Sequence, residues 1–195
     1  MDIDPNARAV LDFWFGAPGT AAHGTTRTEW FRKSEAFDAE IAQRFGTLVE
    51  QALRGELRAW DAQADAGLAR ILVLDQFTRN VFRESPRAFA GDALALEAAR
   101  AMVAAGRDTS LLPVQRSFVY LPYEHAEDLG VQDESVRLFT QLQAVAPGMD
   151  NVLDYAHRHR AVIARFARFP HRNAWLGRES TAEEIAFLQE PGSRF

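Results

Sequence analysis

The stretch Leu68-Ala69-Arg70-Ile71-Leu72-Val73-Leu74-Asp75-Gln76-Phe77-Thr78-Arg79-Asn80-Val81-Phe82 decides the fold class. Leu68, Ile71, Leu72, Asp75, Arg79 and Phe82 recur at helical spacing and line one face. Val73, Leu74, Phe77 and Val81 fill much of a second face. The spacing therefore predicts a helix apolar on nearly every side, which must be buried among other helices.

Outward from this segment the same spacing recurs in both directions, and no sustained apolar/polar alternation bounded by Asn-Gly or Asp-Gly turns interrupts it. Upstream, Asp4 caps a first helix with Pro5 at its first position, Gly16 stops it, and residues 16–28 read as loop. A second helix starts at Ser34, carries Phe37, Ile41, Phe45, Leu48, Ala52 and Leu53 on one stripe, and stops at Gly55. Downstream, Asp92 caps the Ala-rich run Ala93–Ala105, which Gly106 ends. Pro113 opens the next helix, Pro122 kinks it, and Gly130 separates it from Val131–Val145. A long helix runs from about Asn151 to Arg168 and breaks at Phe169-Pro170. The last starts at Ser180, where Ser180-Thr181-Ala182-Glu183 reads as a capping box. The expected architecture is all-α, with about seven to eight helices in antiparallel hairpins, either a compact bundle or a solenoid.

A length of 195 residues suits a single all-α domain over 1–195, or two small helical lobes. Hydrophobic residues at 47% and charged residues at 25% give a globular composition and exclude a disordered one. With 27 acidic against 22 basic residues the net charge is −5, so no basic field points to nucleic acid, and only one of the basic residues, Lys33, is a lysine. No run approaches the ~18 apolar residues of a membrane span. The start Met1-Asp2-Ile3-Asp4-Pro5 is acidic where a signal peptide is basic, so a cytoplasmic protein without membrane association is expected. The absence of cysteine excludes disulfides, thiolate nucleophiles and Cys-ligated metal. Asp154 three residues before His157 falls short of paired Glu-x-x-His ligands, so neither metal nor cofactor is expected.

Three segments bring ionisable groups onto apolar faces, where they cost stability unless they are paired or used. Asp75 and Arg79 lie four apart on the buried segment, followed by Asn80 and Arg83. They form either a structural pair or a carboxylate orienting a guanidinium toward an anion. His125 lies four after Leu121 and four before Leu129, beside Glu124, Glu127 and Asp128, as either a core histidine or an acid/base group. Tyr155–Arg178 holds Arg158, Arg160, Arg165, Arg168, Arg172 and Arg178 with His157, His159 and His171, and no acidic residue. His159 shares a face with Val162, Ile163 and Phe166 and points inward, while Arg158 and Arg165 point elsewhere. His171, Arg172 and Asn173 leave the helix on a loop, where binding groups commonly sit. The alternative for these arginines is pairing with Glu179, Glu183, Glu184 and Glu190.

The runs Leu74–Arg83, Tyr120–Asp128 and Arg165–Arg178, with Leu11–Gly16, Trp30-Phe31 and the tail 180–195, resemble the domain-of-unknown-function 924 family over essentially the whole chain. That resemblance implies a tetratricopeptide-like, right-handed helical fold, found mostly in bacteria, and no established activity. Ala167 stands where the family pattern usually has glycine, which questions a glycine-dependent close approach there. Ala126 stands where serine is frequent, so no mechanism can use that hydroxyl.

Two functions follow. In the first, Arg79, Arg83 and Arg172 hold a small anionic molecule with Asp75, Asn80, His171 and Asn173 around it. His125, His159 and Glu124 then serve proton transfer, and Trp14, Trp30 and Tyr120 form apolar walls. In the second, the arginine-rich surface makes the chain an interaction module for a protein partner or a second copy. No nucleophile elbow, phosphate-cradling glycine loop or dinucleotide fingerprint names a reaction, and enzymatic activity stays open.

Overall fold

Asp4 begins the chain's first helix as the spacing predicts: its carboxylate accepts the Asn6 amide at 2.8 Å, and α1 runs Pro5–Phe15 to a left-handed-side Gly16. A computed structural model describes residues 2–193. It is all-α, with no strand among the described residues. The further helices are α2 (Glu35–Leu53), α3 (Ala64–Leu72), α4 (Thr78–Val81), α5 (Asp92–Ala104) and α6 (Pro113–Glu124). They are followed by α7 (Leu129–Val145), α8 (Asp150–Phe166), α9 (Asn173–Leu176) and α10 (Ala182–Phe187). α4 and α9 are single turns, and no helix among the described residues is long and apolar enough to cross a membrane. Residues up to Arg83 with Arg87–Pro122 form one compact unit, and Glu84–Pro86 with the chain from Tyr123 onward form a second.

In the first unit the predicted segment is buried from Leu68 to Thr78 except at Gln76, Arg79–Phe82 are only half-buried, and it is not one α-helix. α3 passes at Val73–Phe77 into a π-helical turn, and α4 follows from Thr78. Leu68, Ile71, Leu72, Val73, Leu74 and Phe77 are all fully buried. One extra residue per turn leaves the apolar pattern unbroken when every face is apolar, so the sequence carries no sign of it. Phe13, Trp14, Phe37, Phe45 and Phe77 pack as stacked, tilted and edge-on rings with centroids 5.1–6.2 Å apart.

The start of α5 differs from the expectation. Gly91, not Asp92, takes the cap position, and the Asp92 side chain is committed elsewhere, as described below. In the second unit Gly130 does not break the chain: α7 begins at Leu129, capped by the Asp128 carboxylate on the Val131 amide at 2.9 Å. The strong cap outweighs a glycine in the first turn. α6 runs two residues past Pro122 and ends at Glu124. The capping box lies one residue later than read, with Thr181 and Glu184 as its partners. α7 and α8 form a helical hairpin across a short turn.

Ala167 ends α8 in the left-handed conformation, with φ 57°. This is where a glycine belongs, for conformational freedom and not for a close approach. An L-residue there costs about 1 kcal/mol. Ala167→Gly is accordingly expected to stabilise the protein by about 1 kcal/mol, read as a rise of about 2–4 °C in thermal unfolding.

Candidate functional site

The second unit assembles the strongest constellation. α8 carries His159 inward beside Val162 and Ile163, as its spacing predicts, and leaves it 5% exposed. Its Nδ1 lies 2.9 Å from the Tyr155 carbonyl and 3.0 Å from Glu124 Oε1. A carbonyl oxygen only accepts, so Nδ1 carries a proton and Nε2 is the ring's other reactive atom. Glu124, the last residue of α6, is 3% exposed, and its second oxygen, Oε2, is buried with no hydrogen-bond donor on it among the described residues. Gln132 on α7 secures this helix end from below, donating to the Glu124 carbonyl at 2.6 Å and the Ala126 carbonyl at 2.8 Å.

Phe169, fully buried, is the hub around which the remaining groups gather. The His159 ring meets it edge-on at 5.5 Å, His171 lies 5.6 Å away, and the Arg172 guanidinium stands over its face at 4.6 Å. Arg172 is itself buried, at 6% exposed. His125 joins from the turn after α6, its ring 6.2 Å from that of His159. It does not sit on an apolar helix face: the helix has already ended, and Leu129 is exposed.

Glu127 anchors this arrangement. It accepts the Phe169 amide at 2.7 Å and both arms of Arg178 at 2.6 and 2.9 Å. Burial pushes its carboxyl up, but the hydrogen bonds from Arg178 and Phe169 outweigh that and hold it below its ordinary value. Asn173 serves as a structural clip, accepting from Arg178 and donating to Ser180. Arg168 holds Glu184 with two bonds at 2.6 and 2.8 Å. Chiefly through that bond, and against burial, the Glu184 carboxyl falls to about 2. Arg165 pairs with Glu183, Arg158 with Asp154 and Arg160 with Asp133. Arg158, Arg160, Arg165, Arg168 and Arg178 thus meet carboxylates of the same chain, and Arg172 stands over Phe169 within the field of Glu127.

The first unit holds the other predicted residues, in separate groups. Asp75 is buried, with Oδ1 3.3 Å from Arg79. Arg79 also forks onto Asp92 at 2.9 and 3.2 Å. Asn80 and Arg83 converge on Asp38, and although burial raises that carboxyl, their hydrogen bonds win and lower it. Tyr120 donates to Asp108, and burial, reinforced by Asp108, pushes its hydroxyl up to about 12. Trp14 and Trp30 stack at 5.8 Å, and the Trp30 ring nitrogen donates to the Trp14 carbonyl. Asp38, Asp92 and Glu127 are the partners that sequence reasoning did not assign, because each lies 13 or more residues from the arginine it holds.

No protein of curated description matches the sequence. Among solved structures the chain is similar to a protein of unknown function, ATU0120 from Agrobacterium tumefaciens. The two share 37% identity at a TM-score of 0.82, over 94% of this chain and 97% of that one. A family model described as bacterial protein of unknown function (DUF924) matches residues 10–192, and the chain belongs to that family.

Proposed function

We propose that this protein binds a small anionic molecule at the Phe169 cluster and moves a proton there. The observation that carries the reading is the Glu124–His159 pair, a carboxylate and an imidazole 3.0 Å apart and each at least nine-tenths buried. Burying such groups costs several kcal/mol, which a site that uses them recovers in binding or chemistry. Glu124 fixes the His159 ring, while Nε2 gives or takes the proton. Glu124 Oε2, lacking a donor, accepts a hydroxyl of the bound molecule. Arg172 supplies the charge for a carboxylate or phosphate. The interaction-module reading loses its main support, because its arginines are met by carboxylates of the same chain.

A thermal-shift series with acetate, lactate, glycerol phosphate and inorganic phosphate tests this. A bound anion at about a hundred times its dissociation constant raises stability by ~2.7 kcal/mol. Arg172→Met is expected to abolish the response, whereas Glu124→Gln weakens it selectively for the hydroxylated anions. A response to none of the four, or one equal in both variants and wild type, contradicts the proposal.

A further inference from the structure

We propose that the first unit contains a second ligand site, independent of the Phe169 cluster, which takes a small zwitterion of the amino-acid class. A cavity of about 220 Å³ lies against α1 and the loop that follows it. That volume holds a molecule on the order of ten non-hydrogen atoms. Leu11 and Phe15 on α1, both buried, give it an apolar floor, and Leu112 adds an apolar wall. Arg8 and Asp12 rise from the same helix face, one turn apart. Gly16 and His23 close the loop side, and the His23 Nδ1 is held at 2.9 Å by the Gly16 carbonyl.

The polar groups are unevenly satisfied. Asp12 Oδ1 is buried and receives no hydrogen bond among the described residues. Arg8 and Asp12, although of opposite charge at i,i+4 spacing, form no ion pair with each other or with any other described residue. Gln115 spends its oxygen on the Leu112 amide at 3.0 Å, which leaves its amide nitrogen as a donor to the cavity. Asp65 adds a second carboxylate to the lining.

The chemistry of the occupant follows from this lining. Two carboxylates against one guanidinium disfavour a simple anion and favour a ligand with a cationic end. A metal ion is a poorer fit, since no three His, Asp or Glu side chains among the described residues are grouped to hold one. An ammonium supplies Asp12 Oδ1 with the donor it lacks, and a carboxylate at the other end meets the planar fork of Arg8. The Leu11–Phe15 floor then takes an aliphatic side chain.

Isothermal titration calorimetry of the full chain against the standard amino acids, with butylamine and butyrate as half-ligands, tests the inference. At least one amino acid is expected to bind at one site with a dissociation constant below about 1 mM. Each half-ligand is expected to bind at least about tenfold more weakly, and Asp12→Asn and Arg8→Gln to weaken the amino acid by about tenfold each. Binding by no amino acid at millimolar concentration overturns the proposal. So does a half-ligand that binds as tightly as the amino acid, or an affinity unchanged in both variants. Should a variant fail to fold, the half-ligand comparison on the wild-type protein decides alone.

Discussion

Gly91→Ala is expected to destabilise the protein by about 3 kcal/mol or more, lowering its unfolding temperature by about 10 °C. The backbone at Gly91 has an ordinary φ of −89°, so conformational freedom is not what the position demands. Space is the constraint: an added Cβ falls 2.1 Å from the Leu74 carbonyl oxygen and 2.9 Å from its carbon. Leu74 is fully buried within the π-helical turn, and its oxygen is also held by the Thr78 hydroxyl at 2.8 Å. The obstacle is therefore backbone and cannot swing aside like a side-chain tip. Gly46, in the interior of α2 with nothing within 4 Å of its Cβ position, provides the control. Urea unfolding of both alanine variants checks the claim, and equal stabilities would contradict it.

Asp61→Ala carries the second large effect, expected at about 3–5 kcal/mol. Arg70 on α3 is completely buried, and its one hydrogen bond among the described residues is from Nη1 to Asp61 Oδ2. Its Nε and Nη2 have no partner among those residues. Removing the carboxylate strips a completely buried guanidinium, which cannot lose its proton, of its hydrogen-bonded counter-charge. Replacing both groups, Asp61→Ala with Arg70→Met, is expected to recover most of the loss. A double-mutant cycle followed by thermal unfolding measures the coupling, and a single variant within about 0.5 kcal/mol of wild type would contradict this account.

The same contrast between local and distant partners explains what was legible in the sequence. His159 is inward because Val162 and Ile163 share its face, a relation fixed by helical period alone. The Asp75–Arg79 contact is likewise an i,i+4 pair. The partner that completes Arg79, Asp92, resembles a helix cap in sequence, and only the fold turns its carboxylate to the guanidinium. Glu127 and Arg178 lie 51 residues apart and no spacing rule joins them. His125 was misplaced for a local reason: the apolar pattern continues to Leu129, while the chain leaves the helix at Glu124 and restarts under the Asp128 cap. Family membership, evident from the long motifs, extends over 10–192 and carries no activity with it.

Nitrogen-15 NMR of the His159 ring, recorded before and after adding whichever anion raises the unfolding temperature, tests the central claim most directly. The account predicts a proton on Nδ1, held by Tyr155 and Glu124, and a response to the anion at Nε2. A ring protonated at Nε2 with a bare Nδ1, or His159 signals that no stabilising anion moves, would contradict it.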